Sequence, residues 1–80
     1  MSRINEEVRA EMARQRFTYA DMGRAVGKTR QDIWRKLTAD KAISVDDLNE
    51  FAQVLTIPAW QIIRRAEEGT SKPTEKKMTA

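Results

Sequence analysis

The chain has no cysteine and no histidine. It therefore forms no disulfide and no thiolate metal site, and it lacks both the commonest metal ligand and the usual general base near neutral pH. Its acids offer little in exchange: Glu6-Glu7, Asp46-Asp47 and Glu67-Glu68 are sequence neighbours, and residues one apart on a helix do not face each other. There is no glycine-rich phosphate loop and no metal-ligand spacing. The expectation is a protein that is not an enzyme and that carries no cofactor and no metal.

Long apolar runs are missing too. The N-terminus, Met1-Ser2-Arg3-Ile4-Asn5-Glu6-Glu7, has no apolar stretch of signal-peptide length, and nowhere do 18 apolar residues follow one another, so a cytoplasmic protein without a membrane segment is expected. No internal repeat and no convincing strand pattern occurs. Eighty residues bury one modest core and no deep cleft, which places function on a surface.

The scarce glycines and prolines mark helix ends among Ser/Thr-x-x-Asp boxes. Three such boxes stand in the chain: Thr18-Tyr19-Ala20-Asp21, Thr29-Arg30-Gln31-Asp32 and Ser44-Val45-Asp46-Asp47. In each, the hydroxyl accepts from an unpaired N–H of the first turn, and the acid reaches back and complements the positive end of the helix dipole. The first two lie 11 residues apart with Gly27 between them, the dimension of two short helices joined by a sharp bend.

Helical periodicity fills in the rest. Ile4, Val8 and Met12 recur on one face of a first helix expected from Asn5 to Arg16, and Phe17 follows as a core anchor. Thr18 caps a second helix, Tyr19 to Val26, with Ala20, Met22 and Val26 inward and Gly27 at its left-handed end. Thr29 caps a third, Arg30 to Leu37, with Ile33 and Leu37 one turn apart on its inner face. Ser44 opens a fourth whose Val45, Leu48, Phe51, Ala52 and Leu55 form the strongest amphipathic pattern. Pro58 starts a fifth, from Ala59 to Glu68, and Gly69 ends it. The domain is thus expected over 1–68, all-α and built of five helices, followed by a disordered basic tail over 69–80.

Gly23 sits mid-helix, where glycine costs about 1 kcal/mol relative to alanine, and a close approach of the third helix accounts for it. The net charge is only +3, but its distribution is uneven. Residues 28–41 carry Lys28, Arg30, Arg35, Lys36 and Lys41 against Asp32 and Asp40, whereas 42–57 carry only Asp46, Asp47 and Glu50. The positive field is local to the third helix and the loop after it, and such a stripe attracts a polyanion.

The stretch Phe17-Thr18-Tyr19-Ala20-Asp21-Met22-Gly23-Arg24-Ala25-Val26-Gly27-Lys28-Thr29-Arg30-Gln31-Asp32-Ile33 resembles the helix-turn-helix of the lambda-repressor-like family of phage Cro proteins, phage repressors and related bacterial regulators. Ile43-Ser44-Val45-Asp46-Asp47-Leu48 and Val54-Leu55-Thr56-Ile57-Pro58 look like that family's fourth helix and its exit, and the likeness covers about Asn5 to Ile63. Lys36 departs from it, standing where many relatives carry an inward apolar residue.

The resemblance implies a regulator that binds double-stranded DNA at a palindromic operator, a Cro-like repressor working as a homodimer at least on DNA. The third helix would enter the major groove by its N-terminal end with Arg30, Gln31 and Arg35 at the base edges. Arginine can donate two bonds to guanine O6 and N7, and glutamine can pair with adenine N6 and N7. Tyr19, Lys28 and Thr29 stand as the family's phosphate contacts, with Lys36 and Lys41 as further candidates; a partly buried ring is the competing reading for Tyr19. Trp60 and Ile63 belong either to the core or to an exposed dimer contact. Trp34 lies off the Ile33/Leu37 face and packs on its own domain, meets a thymine methyl or sugar, or sits in an interface. The alternative function on the same fold is an antitoxin or adaptor that binds a protein.

Overall fold

The computed structural model describes residues 2–68, and among them every regular element is a helix: α1 (Arg3–Arg14), α2 (Tyr19–Val26), α3 (Arg30–Thr38), α4 (Val45–Leu55) and α5 (Ala59–Glu68). The all-α expectation holds. The tail expected over 69–80, with Gly69 as the stop of the last helix, lies outside the described residues.

Capping sets most of these boundaries. The Thr18 hydroxyl accepts from the Asp21 N–H at 3.0 Å, and the Asp21 carboxylate accepts from the Thr18 N–H at 3.0 Å, a complete capping box at the start of α2. At α3 and α4 the hydroxyl half is present, Thr29 with the Asp32 N–H and Ser44 with the Asp47 N–H, each at 3.1 Å. The Asp47 carboxylate turns instead to Lys36, with Nζ to Oδ2 at 2.8 Å. Gly27 closes α2 at φ 74°, ψ 32°, the left-handed conformation that glycine adopts without strain.

The first helix departs from expectation at both ends. It begins at Arg3 because Ser2 caps it, the hydroxyl accepting from the Asn5 N–H at 3.3 Å. It stops at Arg14, not Arg16, because Arg16 takes φ 56° and the Phe17 N–H reaches back to the Met12 carbonyl at 2.8 Å. That is a left-handed helix exit without the glycine that usually announces one.

Val8 and Met12 of α1, Met22 of α2, Ile33 and Leu37 of α3, Leu48, Phe51, Ala52 and Leu55 of α4 and Ile62 of α5 form one buried cluster. Each large member stabilises the fold by about 1.5–3 kcal/mol relative to exposure. α4 supplies four of these side chains and forms the floor of the core. Val45 departs from its pattern: as the first residue of α4 it lies past the edge of the core and is 72% exposed. Ile4, Phe17 and Val26 pack partly buried against the cluster.

Two polar networks lock α1 to the rest. Glu11 is buried, and its carboxylate accepts from Gln15 Nε2 at 2.8 Å, Arg14 Nε at 3.0 Å and Arg65 Nη1 of α5 at 2.8 Å, while Gln15 Nε2 also donates to the Leu55 carbonyl at 2.9 Å. The Gln15 bond, then those from Arg14 and Arg65, holds the Glu11 carboxyl below its ordinary value. A depressed folded-state value contributes stability above the unfolded value and loses it as pH falls through the folded one. Thermal melts across pH 7 to 3 are therefore expected to show wild-type stability declining below about pH 4.5, the ordinary value of a glutamate. In Glu11→Gln, about 1–2 kcal/mol less stable at pH 7, the decline is shallower. Parallel pH profiles would contradict the assignment. The variant keeps the contribution of Asp21, whose carboxyl is lowered by the Thr18 N–H, then by the Thr18 hydroxyl and by Arg24.

The second network centres on Asn5, whose side chain is fully buried. Its Nδ2 donates toward the carbonyls of Lys36 (3.2 Å), Ala39 (3.3 Å) and Lys41 (2.9 Å), and its Oδ1 accepts from the Ile43 N–H at 3.0 Å. One side chain of α1 thus terminates α3 and shapes the loop from α3 to α4.

Candidate nucleic-acid interface

The bend between α2 and α3 is held by backbone contact. The N–H groups of Gly27 and Lys28 both donate to the Gly23 carbonyl, the latter at 2.8 Å. A β-carbon on Gly23 would stand 2.6 Å from the Lys28 carbonyl oxygen and 3.1 Å from the Thr29 carbonyl carbon. The close approach expected at Gly23 is present, made by the turn and the first residue of α3. Gly27 has open space around it, so its left-handed φ alone requires glycine.

Gly23→Ala separates packing from propensity. Alanine would gain about 1 kcal/mol in an open helix, but here the clash with backbone is expected to outweigh that gain and to destabilise by about 1–3 kcal/mol. Thermal unfolding checks this, and a stabilised variant would mean that the turn yields without cost.

With the turn fixed, the sides of α3 are determined. Ile33 and Leu37 are fully buried. At about 100° per residue, Arg30, Trp34, Gln31 and Arg35 fall in that order along an outer arc of about 140°. All four are exposed. Among the described residues, no hydrogen bond or ion pair engages the side chains of Arg30, Gln31, Arg35 or Lys28. Three guanidinium or amide groups, each with a free planar array of donors, therefore face outward from one helix directly behind its Thr29 cap.

The expected flanking residues fall into four groups. Lys28 and Thr29 are exposed in the turn, beside the N-terminus of α3. Tyr19 is half-buried against the core, so the partly buried ring is realised, yet it lines a surface concavity together with Arg30. Lys41 is exposed beyond the far end of α3, where its carbonyl anchors to Asn5. Lys36 points to the flank of α3, and its ammonium is held by Asp47 at 2.8 Å.

Trp34 is 52% exposed, against the expectation that it packs on its own domain. Tyr19, Arg30, Gln31 and Trp34 line a surface concavity of about 330 Å³. Trp60 and Ile63 are 61% and 38% exposed, so neither belongs to the core. Three residues apart, they share a face of α5, which packs on α1 and α4 and makes no packing contact with α2 or α3. Among the described residues there is no cluster of potential metal ligands, and no helix is long and apolar enough to cross a membrane. Among family models, curated proteins and solved structures, none matches this chain.

Proposed function

We propose that the chain is a sequence-specific regulator of transcription that binds double-stranded DNA, built as a lambda-repressor-like helix-turn-helix and acting as a Cro-like repressor at a palindromic operator. The observation that carries this reading is the outer arc of α3, where Arg30, Gln31 and Arg35 stand exposed and unengaged behind a capped N-terminus. In the major groove, Arg30 and Arg35 would donate two bonds each to a guanine, and Gln31 would donate to adenine N7 while accepting from its N6 amino group.

Phosphate contacts flank that arc. Lys28 and Thr29 in the turn, with the open N-terminus of α3 behind them, suit one backbone, and Lys41 suits the strand beyond the other end. Tyr19 serves through the part of its side chain left uncovered by the core. Lys36 contributes only if it leaves Asp47. The Trp60 and Ile63 face of α5 supplies an apolar patch on elements away from α3, which lets two copies pair while both α3 helices stay open to DNA. On this reading the protein works where bacterial DNA is, in the cytoplasm.

Selection from a random duplex pool at two salt concentrations tests the proposal. The expected product is an inverted repeat with half-sites about one helical turn, about 10 base pairs, apart. Affinity for unrelated duplexes should be weaker and fall steeply with salt. A pool that yields no motif, with equal weak affinity for every duplex, would overturn the reading and favour a protein partner.

A further inference from the structure

Trp34 is the large apolar side chain on an otherwise polar arc. It stands about 40° from Arg30 and about 60° from Gln31 around the axis of α3, and with Tyr19 the three line one concavity. Trp34 lies in the interior of α3, which is helical from Arg30 to Thr38, so its position on the arc is set by the helix. A half-exposed indole costs free energy in water unless something apolar covers it.

The major groove offers very little that is apolar. Every base pair presents polar acceptors and donors there, and the exception is the methyl group on C5 of thymine. Methylation of cytosine places the same group on C5 of that base. The concavity combines two purine-reading donors, Arg30 and Gln31, with an aromatic wall, so it fits a purine and a C5-methyl pyrimidine at neighbouring positions.

We propose that Trp34, with Tyr19, forms a specificity pocket for the C5-methyl group of a pyrimidine adjacent to the purine read by Arg30 or Gln31. The inference rests on the operator-binding reading above and adds to it a contact that none of the hydrogen-bonding residues provides.

The test uses the unaltered protein and the duplex recovered by selection. In one arm each thymine is replaced in turn by uracil, which removes only the methyl; in the other each cytosine is replaced by 5-methylcytosine, which adds it. The expected result is one position per half-site at which the methyl tightens binding about fourfold, the worth of one buried methyl group. A response in the first arm identifies thymine as the source, and one in the second identifies methylated cytosine. Trp34→Ala, checked for folding by its melting curve, is expected to bind methylated and unmethylated duplexes equally while keeping its purine preference. Selective binding in which no position responds in either arm would overturn the pocket and leave the operator reading standing, as would a response that survives Trp34→Ala unchanged. Failure to recover any selected duplex would overturn the operator reading itself, before either arm is run.

Discussion

Replacing Arg30, Gln31 and Arg35 together by alanine is expected to abolish discrimination between operator and unrelated DNA, a loss of more than about a hundredfold in the affinity ratio. A good bidentate contact to a base discriminates by about 1–3 kcal/mol, so three contacts at the lower bound already give about 3 kcal/mol. Weak binding that falls with salt should persist through Lys28, Lys41 and the helix N-termini, whose phosphate contacts the substitution leaves in place. The fold should be indifferent, since all three side chains are exposed and none is engaged by another described residue, and surface changes of this kind stay within about 0.5 kcal/mol. Competition binding with selected and scrambled duplexes measures the ratio. Selectivity retained by a folded triple variant would move the reading surface away from α3.

Asn5→Ala should have the largest effect on stability of any single polar substitution, about 2–4 kcal/mol, against a total of about 5–15 kcal/mol for a domain. The loss removes four hydrogen-bond contacts at once, three to carbonyls and one to the Ile43 N–H, in a place where the side chain is wholly buried. The pattern of partners makes the prediction specific. Asn5→Asp keeps an acceptor for Ile43 but has no donor for Lys36, Ala39 and Lys41, and it buries a charge. It should therefore be no more stable than the alanine variant. Urea unfolding of the three proteins decides, and an aspartate variant as stable as wild type would refute the role of the donated bonds. Because those bonds end α3 and fix the loop that carries Lys41, the same substitution should also weaken DNA binding without touching the outer arc.

The second, third and fourth helices were legible because their ends are written locally: Thr18, Thr29 and Ser44 cap, and Gly27 takes the left-handed φ. The inner face of α3 was legible for a similar reason, Ile33 and Leu37 lying one turn apart beside the polar arc. α1 was shifted at both ends by signals that are ambiguous in sequence. Ser2 is followed three residues later by an asparagine instead of an acid, and Arg16 occupies a left-handed position that glycine normally marks.

Asn5 and Glu11 share the inward side of α1 with Val8, at three-residue spacing. That register was the available signal, and their polarity hid it. Their partners, 54 residues away in the case of Arg65 and 31 to 38 in the case of Asn5, come from tertiary packing that no local pattern encodes. The Lys36–Asp47 pair belongs to the same class: the approach of α4's first turn supplies a carboxylate that no local pattern announces. Val45 and Trp34 show the converse limit, since apolar character gives a tendency to be covered but not the covering surface.

Guanine N7 is the atom that reports whether Arg30 and Arg35 reach base edges in the major groove. The decisive measurement is interference by 7-methylguanine, placed singly at each guanine of the selected duplex, on binding by wild type, Arg30→Ala and Arg35→Ala. At least one guanine per half-site is expected where the modification blocks wild type but no longer matters to one of the two variants. Interference that is absent at every guanine, or identical in all three proteins, would contradict it.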